Sequence, residues 1–335
     1  MNYSSTNMDT RAVCLINLIN FLNKTISQYG LGIIYLLGNI GSALTCLVFY
    51  QPTFRHSSCA MYFLASNFSQ FFTFNFALLT RMLFYGYDVR IANTFGWFCK
   101  VRYYLFYIFI ANSRYNIIMA SIDRYFASSQ SVLSRQYSSP RIASRVILIG
   151  AITWCLIYIQ VLVFYDIYDG SCQYQTGTYG IFFSIFISID SGVLPIVVML
   201  IFGSLTIRNV HRSRRRIGVF PSVRGYTQTS HGNRLTRRDM QLYRMLINQI
   251  ILFTILNIPN PCYLIYNSFT IEDVEQPVRQ TVTVFVSNMT YVLIYFGFAL
   301  TFVNFAISSK IFRREFQRLI QRKVHCLRAR HMRRG

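Results

Sequence analysis

Acidic residues are scarce in this sequence: 11 Asp and Glu stand against 33 Lys and Arg, and charged residues of both signs make up only 13% of the chain. A soluble domain carries about 25%. With 53% apolar residues, the chain cannot cover a water-facing surface with polar groups, which excludes an ordinary soluble domain. The sequence also lacks C-x-x-C spacing, a Ser/His/Asp set, HExxH and a Gly-rich phosphate loop. We therefore expect no enzymatic activity, no metal site and no cofactor.

Seven apolar runs are spread along the chain, and each is long enough for a helix that crosses a bilayer. They occupy residues 28–50, 59–84, 98–122, 144–165, 179–207, 242–267 and 281–307. The apolar segment 14–22 is too short, and too interrupted by asparagine, to span a membrane. The sequence therefore predicts an all-α membrane protein with a bundle of seven transmembrane helices.

Basic residues are distributed unequally between the segments that connect these runs. If the N-terminus lies outside, the outer segments hold 4 Lys or Arg and the inner segments hold 25. The positive-inside rule favours this orientation, with the C-terminus in the cytoplasm. Two blocks of ten basic residues border apolar spans, within 208–244 and 310–334. That position predicts contact with acidic lipids of the inner leaflet and argues against nucleic acid as a partner.

These assignments divide the chain into an extracellular N-terminal segment (1–27), a seven-helix bundle (28–307) and a basic cytoplasmic region (308–335). The third inner loop of the bundle occupies about 208–241. The cytoplasmic region begins with a short amphipathic eighth helix, whose apolar stripe comprises Ile311, Phe312, Phe316, Leu319 and Ile320.

Three residues are candidates for covalent modification. Asn2 and Asn23 begin N-x-Ser/Thr triplets in the segment predicted to lie outside, and both are candidates for N-glycosylation. Cys326 follows the amphipathic helix and is a candidate for palmitoylation.

The sharpest motif is Asp123-Arg124-Tyr125, at the inner end of the third apolar run. Cys99 lies 25 residues before Arg124, at the outer end of the same run. At ~1.5 Å per helical residue the separation is close to the thickness of one bilayer with its interfaces. An arginine near the membrane edge is costly unless it is paired or faces water, and Asp123 can neutralise it. Together with seven spans, this arrangement resembles the rhodopsin-like (class A) G-protein-coupled receptors.

The resemblance covers residues 28–322 and includes further landmarks in the family's order and spacing. These are Gly38-Asn39, Leu64-Ala65, Trp97, Trp154, Pro195, Phe253 and Pro259. The chain also departs from the family pattern. The second span has no acid for a sodium site, residues 256–259 lack the tryptophan of Cys-Trp-x-Pro, and residues 301–305 lack the proline and tyrosine of Asn-Pro-x-x-Tyr. Phe106 and Tyr295 replace the amine-binding aspartate and the retinal lysine, so the chain resembles a divergent, lineage-expanded invertebrate receptor.

The resemblance implies how a signal would cross the bundle. In the family the arginine equivalent to Arg124 meets a heterotrimeric G protein when the sixth helix swings outward. An acid at the base of that helix holds the arginine in the inactive state, and Asp239 lies about where the family places it. A solvated charge among neighbouring arginines is the alternative for Asp239. Pro195, Phe253 and Pro259 would transmit the change between the two ends.

The resemblance also implies a disulfide between Cys99 and Cys172, which would pin the second outer loop over the bundle, with two free thiols as the alternative. An extracellular ligand, a peptide or a small molecule, would bind among the third, fifth, sixth and seventh helices. Depth and helix alone select the ligand-binding candidates: Tyr103, Phe106, Tyr107, Asp190, Asn257, Tyr263, Asn288 and Tyr291.

Two charged residues lie in the interior of apolar spans, where an unpaired charge is costly. Arg114 is ten residues before Arg124, and Asp190 is five residues before Pro195. We hypothesise that Arg114 reaches Asp190, Asn257 or both, so that a polar switch replaces the missing aromatic one. Separate hydrogen bonds of each residue to backbone carbonyls or water are the alternative.

The sequence thus predicts a G-protein-coupled receptor in the plasma membrane. Its expected partners are a heterotrimeric G protein, an extracellular ligand and acidic lipids, with arrestin as a further candidate through the third inner loop. A seven-span transporter or channel is the alternative. It would need a polar pathway across the bundle, of which Arg114 and Asp190 supply only a fragment.

Overall fold

The computed structural model describes residues 10–168, 170–175, 177–217, 237–269 and 277–332. These residues form eight long helices: α1 (Thr10–Thr25, Ile26–Gly30 and Leu31–Phe49), α2 (Ser58–Thr73, Phe74–Leu78 and Leu79–Tyr87), α3 (Gly96–Ser128), α4 (Pro140–Ile157 and Ile159–Phe164), α5 (Thr178–Ser188, Ile189–Val193 and Leu194–Ile217), α6 (Arg237–Asn257 and Pro259–Phe269), α7 (Pro277–Ala299 and Thr301–Ser308) and α8 (Lys310–Met332). The middle segments of α1, α2 and α5 are π-helical turns.

Six of these helices, α1 and α3–α7, are long and apolar enough to cross a membrane by length and composition. The other long helix of the bundle, α2, is more polar, and its N-terminal half buries Ser66, Asn67 and Gln70. Together the seven form the predicted helical bundle, and α8 follows as the eighth helix. The fold class predicted from the sequence is therefore confirmed.

The first helix begins earlier than the predicted span. Residues 10–27 continue α1, so that the helix spans 40 residues, or roughly 60 Å at 1.5 Å per residue. Asn23 and Ser27 in this extension are buried and receive hydrogen bonds from Asn288 of α7. The extension is therefore packed against the bundle, although residues 14–22 alone are too short to span a membrane.

Proline and glycine shape the contact between α5 and α6. α6 is interrupted at Ile258 because Pro259 has no N–H to continue the hydrogen-bond ladder. The π turn of α5 lies immediately before Pro195, and such turns and prolines are the usual causes of helix bends. A side chain at Gly192 would overlap the ring of Pro261, so this close approach of the two helices requires glycine.

Shorter elements connect the helices. Three short helices, Pro52–Arg55, Ile91–Thr94 and Val132–Gln136, lie in the connections that follow α1, α2 and α3. α4 starts with Pro140 after Ser139, whose hydroxyl accepts from the Ile142 N–H, as is usual for a helix start. Between α4 and α5, β1 (Tyr165–Tyr168) pairs antiparallel with β2 (Ser171–Tyr174), and Ile167 lies opposite Cys172.

The buried apolar residues form two clusters, one at each end of the bundle. One lies at the end where the hairpin and Cys99 are found (the disulfide end) and includes Phe106, Tyr107 and Tyr165. The other lies at the opposite end (the Arg124 end) and includes Phe49, Phe253 and Phe305. Phe312 of α8 belongs to this second cluster and contacts the rings of Phe49 and Phe305, which holds α8 against the bundle.

Candidate functional site

Arg124 is the centre of a buried polar cluster at the Arg124 end. Its side chain is only 5% exposed, and its Nη2 and Nε donate to Asp123 Oδ2 at 2.6 and 3.0 Å. Asp123 Oδ1 accepts from the Ser138 hydroxyl at 2.8 Å, and Ser58 Oγ lies 3.1 Å from Ser138 Oγ. A buried guanidinium is thus neutralised within its own helix, and Asp123 is held by the connection between α3 and α4.

Asp239 brings α6 to the same guanidinium. Arg124 Nη1 donates to Asp239 Oδ1 at 3.3 Å, and the Asp239 side chain is 27% exposed. This arrangement places the two residues that the family resemblance connects in direct contact, and their role in activation stays a prediction. Tyr125 does not join this cluster, since its ring packs on Phe202 of α5.

A cleft of about 240 Å³ opens beside this pair. It is lined by His56, Ser57, Ser58, Arg124, Ala127, Arg135, Ser138 and Asp239. The lining is mostly polar and includes two arginines, one histidine and one aspartate. The cleft therefore gives water or a partner access to Arg124 from the Arg124 end.

Amide side chains of α6 form a second contact, with α7 and α8, that the sequence did not reveal. Gln241 Oε1 accepts from the Ser309 hydroxyl at 2.9 Å and from the Ile311 N–H at 2.7 Å. Asn248 Nδ2 donates to Ser308 Oγ at 2.7 Å. The only sequence signal was the presence of amides on an apolar helix.

The same contact continues deeper into the bundle, where the family has its Asn-Pro-x-x-Tyr motif. Asn304 Nδ2 donates to Gln249 Oε1 at 2.8 Å, and Gln249 Nε2 donates to Thr301 Oγ1 at 3.4 Å. Amide and hydroxyl hydrogen bonds thus connect α6 with α7 at the place where the motif's proline and tyrosine are missing.

The predicted polar switch in the middle of the bundle is arranged differently from the hypothesis. Asp190 Oδ2 accepts from the Tyr158 hydroxyl of α4 at 2.6 Å, and Asn257 Nδ2 donates to the Phe253 carbonyl at 3.0 Å. Among the described residues no ion pair within 4.0 Å joins Arg114 to Asp190. In this structure Asp190 thus meets Tyr158 and forms no direct ion pair with Arg114, and a role of these residues as a polar switch stays a prediction.

The residues assigned to transmission lie between the two ends. Phe253 is buried in the cluster at the Arg124 end, and Pro259, six residues later, follows the interruption of α6. Pro195 is buried just after the π turn of α5. Their positions suit residues that couple the ends, and the role itself stays a prediction.

At the disulfide end, Cys99 and Cys172 are joined by the predicted disulfide, with Cα atoms 5.7 Å apart. Asn93 Oδ1 also accepts from the Cys172 N–H at 3.1 Å. On the hairpin, Asp166 pairs with Lys100 of α3 at 3.1 Å. The pKa of Asp166 is lowered, mainly because its carboxylate accepts from the Ile167 N–H and secondly because Lys100 lies beside it. The pair with Lys100 is therefore fully formed at any pH above the usual carboxyl pKa, and it is lost as the pH falls through the lowered pKa of Asp166. The hairpin is thus attached to α3 by the disulfide and the Asp166–Lys100 pair, and to the short helix Ile91–Thr94 by Asn93.

Of the eight ligand-binding candidates, five are aromatic and three are polar. Four aromatic residues come together near the hairpin: the Tyr107 hydroxyl is 2.8 Å from that of Tyr165, and the Phe106 ring centroid lies 6.4 Å from Tyr103 and 6.0 Å from Tyr291. Tyr263 of α6 is half-buried. The other candidates, Asp190, Asn257 and Asn288, already have hydrogen-bond partners in the protein.

Two basic residues beside these rings were missed by the sequence reasoning. Arg81 of α2 donates from Nη1 to Asn288 Oδ1 at 3.0 Å, and its guanidinium carbon lies 3.9 Å from the Tyr291 ring centroid. Arg102 of α3 lies over Tyr103, with 4.9 Å from its guanidinium carbon to the ring centroid. Arg81 falls within the predicted span 59–84, where an arginine already signals a functional position.

Of the three predicted modification sites, the structure describes the side chain of Asn23 alone. Asn23 is only 9% exposed and accepts from Asn288 Nδ2 at 2.7 Å, so its buried position disfavours it as a glycan acceptor. Asn2 lies outside the described residues, and so do the side chain of Cys326 and most of the third inner loop. These predictions remain open to experiment.

Comparison with known protein families agrees with this geometry. The model of the 7 transmembrane receptor (rhodopsin family) matches residues 41–307. No curated protein sequence matches the chain significantly. The match covers most of the chain, and the chain therefore belongs to the rhodopsin family of seven-transmembrane receptors. It is a multi-pass membrane protein of a receptor family, as the resemblance predicted.

Proposed function

We propose that this receptor binds an extracellular ligand near its disulfide end and activates a heterotrimeric G protein at its Arg124 end. The observation that carries the proposal is the contact of buried Arg124 with Asp123 in its own helix and with Asp239 in α6. A ligand that favours an outward position of α6 would separate Arg124 from Asp239 and widen the cleft beside them. The receptor itself would carry out no covalent chemistry.

The proposal includes an orientation in the plasma membrane, with the N-terminus outside and the C-terminus in the cytoplasm. The excess of basic residues in the segments at the Arg124 end supports it. Epitope tags at the two ends test it: the N-terminal tag should be accessible on intact cells, and the C-terminal tag only after permeabilisation. Both tags on one face would contradict the proposal.

Two further partners belong to the same proposal. The exposed arginines of α8, such as Arg313 and Arg314, would contact acidic lipids of the inner leaflet. Arrestin is a further candidate partner through the third inner loop, at about 208–241, since that loop contains serines and threonines among arginines.

Nucleotide exchange on purified G-protein heterotrimers tests the central claim. The wild-type receptor in nanodiscs should accelerate exchange, and Arg124→Ala should abolish the acceleration at equal receptor concentration. Arg145→Ala is the matched control, because Arg145 is an exposed arginine near the same end. If no heterotrimer responds and proteoliposomes containing the protein show solute flux, the transporter or channel alternative replaces the proposal.

A further inference from the structure

Arg81 of α2 is a cation that the protein holds with neutral groups. Its Nη1 donates to the Asn288 amide oxygen at 3.0 Å, and its guanidinium carbon lies 3.9 Å from the ring centroid of Tyr291 and 5.5 Å from that of Tyr85. Aromatic faces attract a cation without neutralising it. No described carboxylate lies within ion-pair distance of this guanidinium, so no described acid compensates its charge at the disulfide end of the bundle.

Arg102 of α3 repeats this arrangement beside it. Its Nε donates to the hydroxyl of Thr80, the neighbour of Arg81, at 2.7 Å, and its guanidinium lies over Tyr103. The ring of Phe106 packs on both Tyr103 and Tyr291, the two rings that Arg102 and Arg81 contact. Two positive charges from different helices therefore converge on one region of the disulfide end, although like charges repel and each prefers an acidic partner.

The acids that the structure describes at this end are already paired elsewhere. Asp88 pairs with Arg90 at 2.8 Å, and Asp166 pairs with Lys100 at 3.1 Å. Asp190, deeper in the bundle, accepts from Tyr158. The protein thus neutralises Arg90 and Lys100 with its own carboxylates and leaves Arg81 and Arg102 without one in its described part.

Both arginines keep hydrogen-bonding capacity. A guanidinium has five N–H donors; Arg81 uses Nη1 for Asn288 and is also hydrogen-bonded to the Tyr295 side chain, and Arg102 uses Nε for Thr80. Both residues are partly exposed rather than buried. The remaining donors form the planar fork that matches a carboxylate through two parallel hydrogen bonds.

We propose that Arg81 and Arg102 bind the carboxylate of an acidic ligand whose apolar body contacts the neighbouring aromatic rings. The Tyr103 and Tyr291 rings lie against the two guanidiniums, and the Phe106 ring packs on both tyrosines. Together the three rings supply that apolar surface. This inference rests on the proposed receptor function and specifies its ligand class: an organic acid with an aliphatic or aromatic body. A cationic amine or peptide amine would be repelled from this position.

Direct binding to the purified receptor in nanodiscs of neutral lipid tests the inference. The probes are linear monocarboxylates from acetate to decanoate and 4-phenylbutyrate, each compared with the amide and the amine of the same body. The carboxylates should raise the unfolding temperature of the receptor and bind at least tenfold more tightly than the amides. The amines should not bind at this site.

Substitutions locate the binding. Arg81→Gln and Arg102→Gln should each weaken carboxylate binding at least tenfold, and Arg81→Lys should weaken it less because the charge remains. Arg90→Gln is the matched control, since Arg90 is an exposed arginine at the same end that already has an acidic partner, and it should bind like the wild type. If Arg81→Gln fails to fold, Arg102→Gln, whose hydrogen bond is to a single hydroxyl, carries the test. Three outcomes would overturn the inference: acids and amides bind equally well, carboxylates still bind the Arg81 and Arg102 variants as tightly as the wild type, or no carboxylate binds the wild type.

The same preparations separate this inference from the proposed function. Arg124-dependent nucleotide exchange together with no carboxylate binding would overturn the ligand class and leave the receptor function intact. Carboxylate binding that depends on Arg81, in a protein that activates no G protein, would retain the anion site and overturn the coupling.

Discussion

Gln241 of α6 accepts hydrogen bonds from both the hydroxyl of Ser309 and the N–H of Ile311, at 2.9 and 2.7 Å. Ser309 precedes α8, and its hydroxyl in turn accepts from the Phe312 N–H at 3.1 Å. The first N–H groups of a helix have no partner within the helix. An amide from α6 therefore completes the start of α8, and α6 cannot move outward without losing both bonds.

We expect Gln241→Met to raise ligand-independent nucleotide exchange. Two hydrogen bonds at about 0.5–1.5 kcal/mol each favour the inward position of α6, so their loss should raise exchange at least threefold. Gln317→Met, on the exposed face of α8, is the matched control and should behave like the wild type. Exchange that stays at the wild-type level in Gln241→Met, at equal receptor density, would show that this contact does not restrain α6.

Removing the charge of Asp239 should have the same direction of effect. Because the Asp239 side chain is 27% exposed, solvent weakens its pairing with Arg124 to about 1 kcal/mol. Asp239→Asn should therefore increase basal exchange by a factor of about five. Asp166→Asn, which breaks the pair with Lys100 at the other end, serves as the control. A decrease in basal exchange in Asp239→Asn would mean that the carboxylate supports coupling rather than restraining it.

The disulfide should stabilise the fold, whereas the contacts at the Arg124 end should not require it. Cys99→Ser leaves the 73-residue separation between the two positions unconstrained, which typically costs about 2–4 kcal/mol. We expect the unfolding temperature of the purified receptor to fall by several degrees. The double variant Cys99→Ser with Cys172→Ser should be no less stable than the single one, and Cys262→Ser, an exposed free cysteine, should match the wild type. Equal stability of all four proteins would contradict this role.

Asn23 should carry no glycan, because its side chain is buried against Asn288. The wild type and Asn23→Gln should show the same gel mobility, and treatment with a peptide N-glycosidase should not distinguish them. Asn2→Gln provides the comparison, as the other acceptor triplet of the N-terminal segment. A mobility shift that disappears in Asn23→Gln would mean that this part of α1 reaches the glycosylation enzyme before it packs.

The sequence predicted the bundle because crossing a bilayer demands long apolar runs, and those runs are visible locally. It placed the start of α1 too late, because Asn17 and Asn20 interrupt the apolar pattern that a lipid-facing helix requires. The hydrogen bonds from Asn288 that hold the extension connect positions more than 260 residues apart. No local pattern carries that information.

For the candidate site, the sequence predicted the motif residues but not the contacts that depend on the fold. The family motif selected Arg124, Asp239 and the two cysteines, because their residue types and spacing are constrained. Arg81 was overlooked because it interrupts an otherwise apolar run, and only the fold brings Asn288 and Tyr291 to it. Likewise, the Arg114 hypothesis paired two charges by depth, whereas the orientation of Tyr158 decides which group meets Asp190.

The hairpin has a kinetic consequence. Tyr165 of β1 is only 2% exposed, touches the Tyr103 ring at 4.7 Å between centroids and shares a hydrogen bond with Tyr107. A ligand that reaches those rings from the side of the hairpin would have to displace the Tyr165 side chain on entry and again on exit. Capture should therefore be much slower than diffusion allows and escape equally delayed, which gives long residence times even to a weakly held molecule.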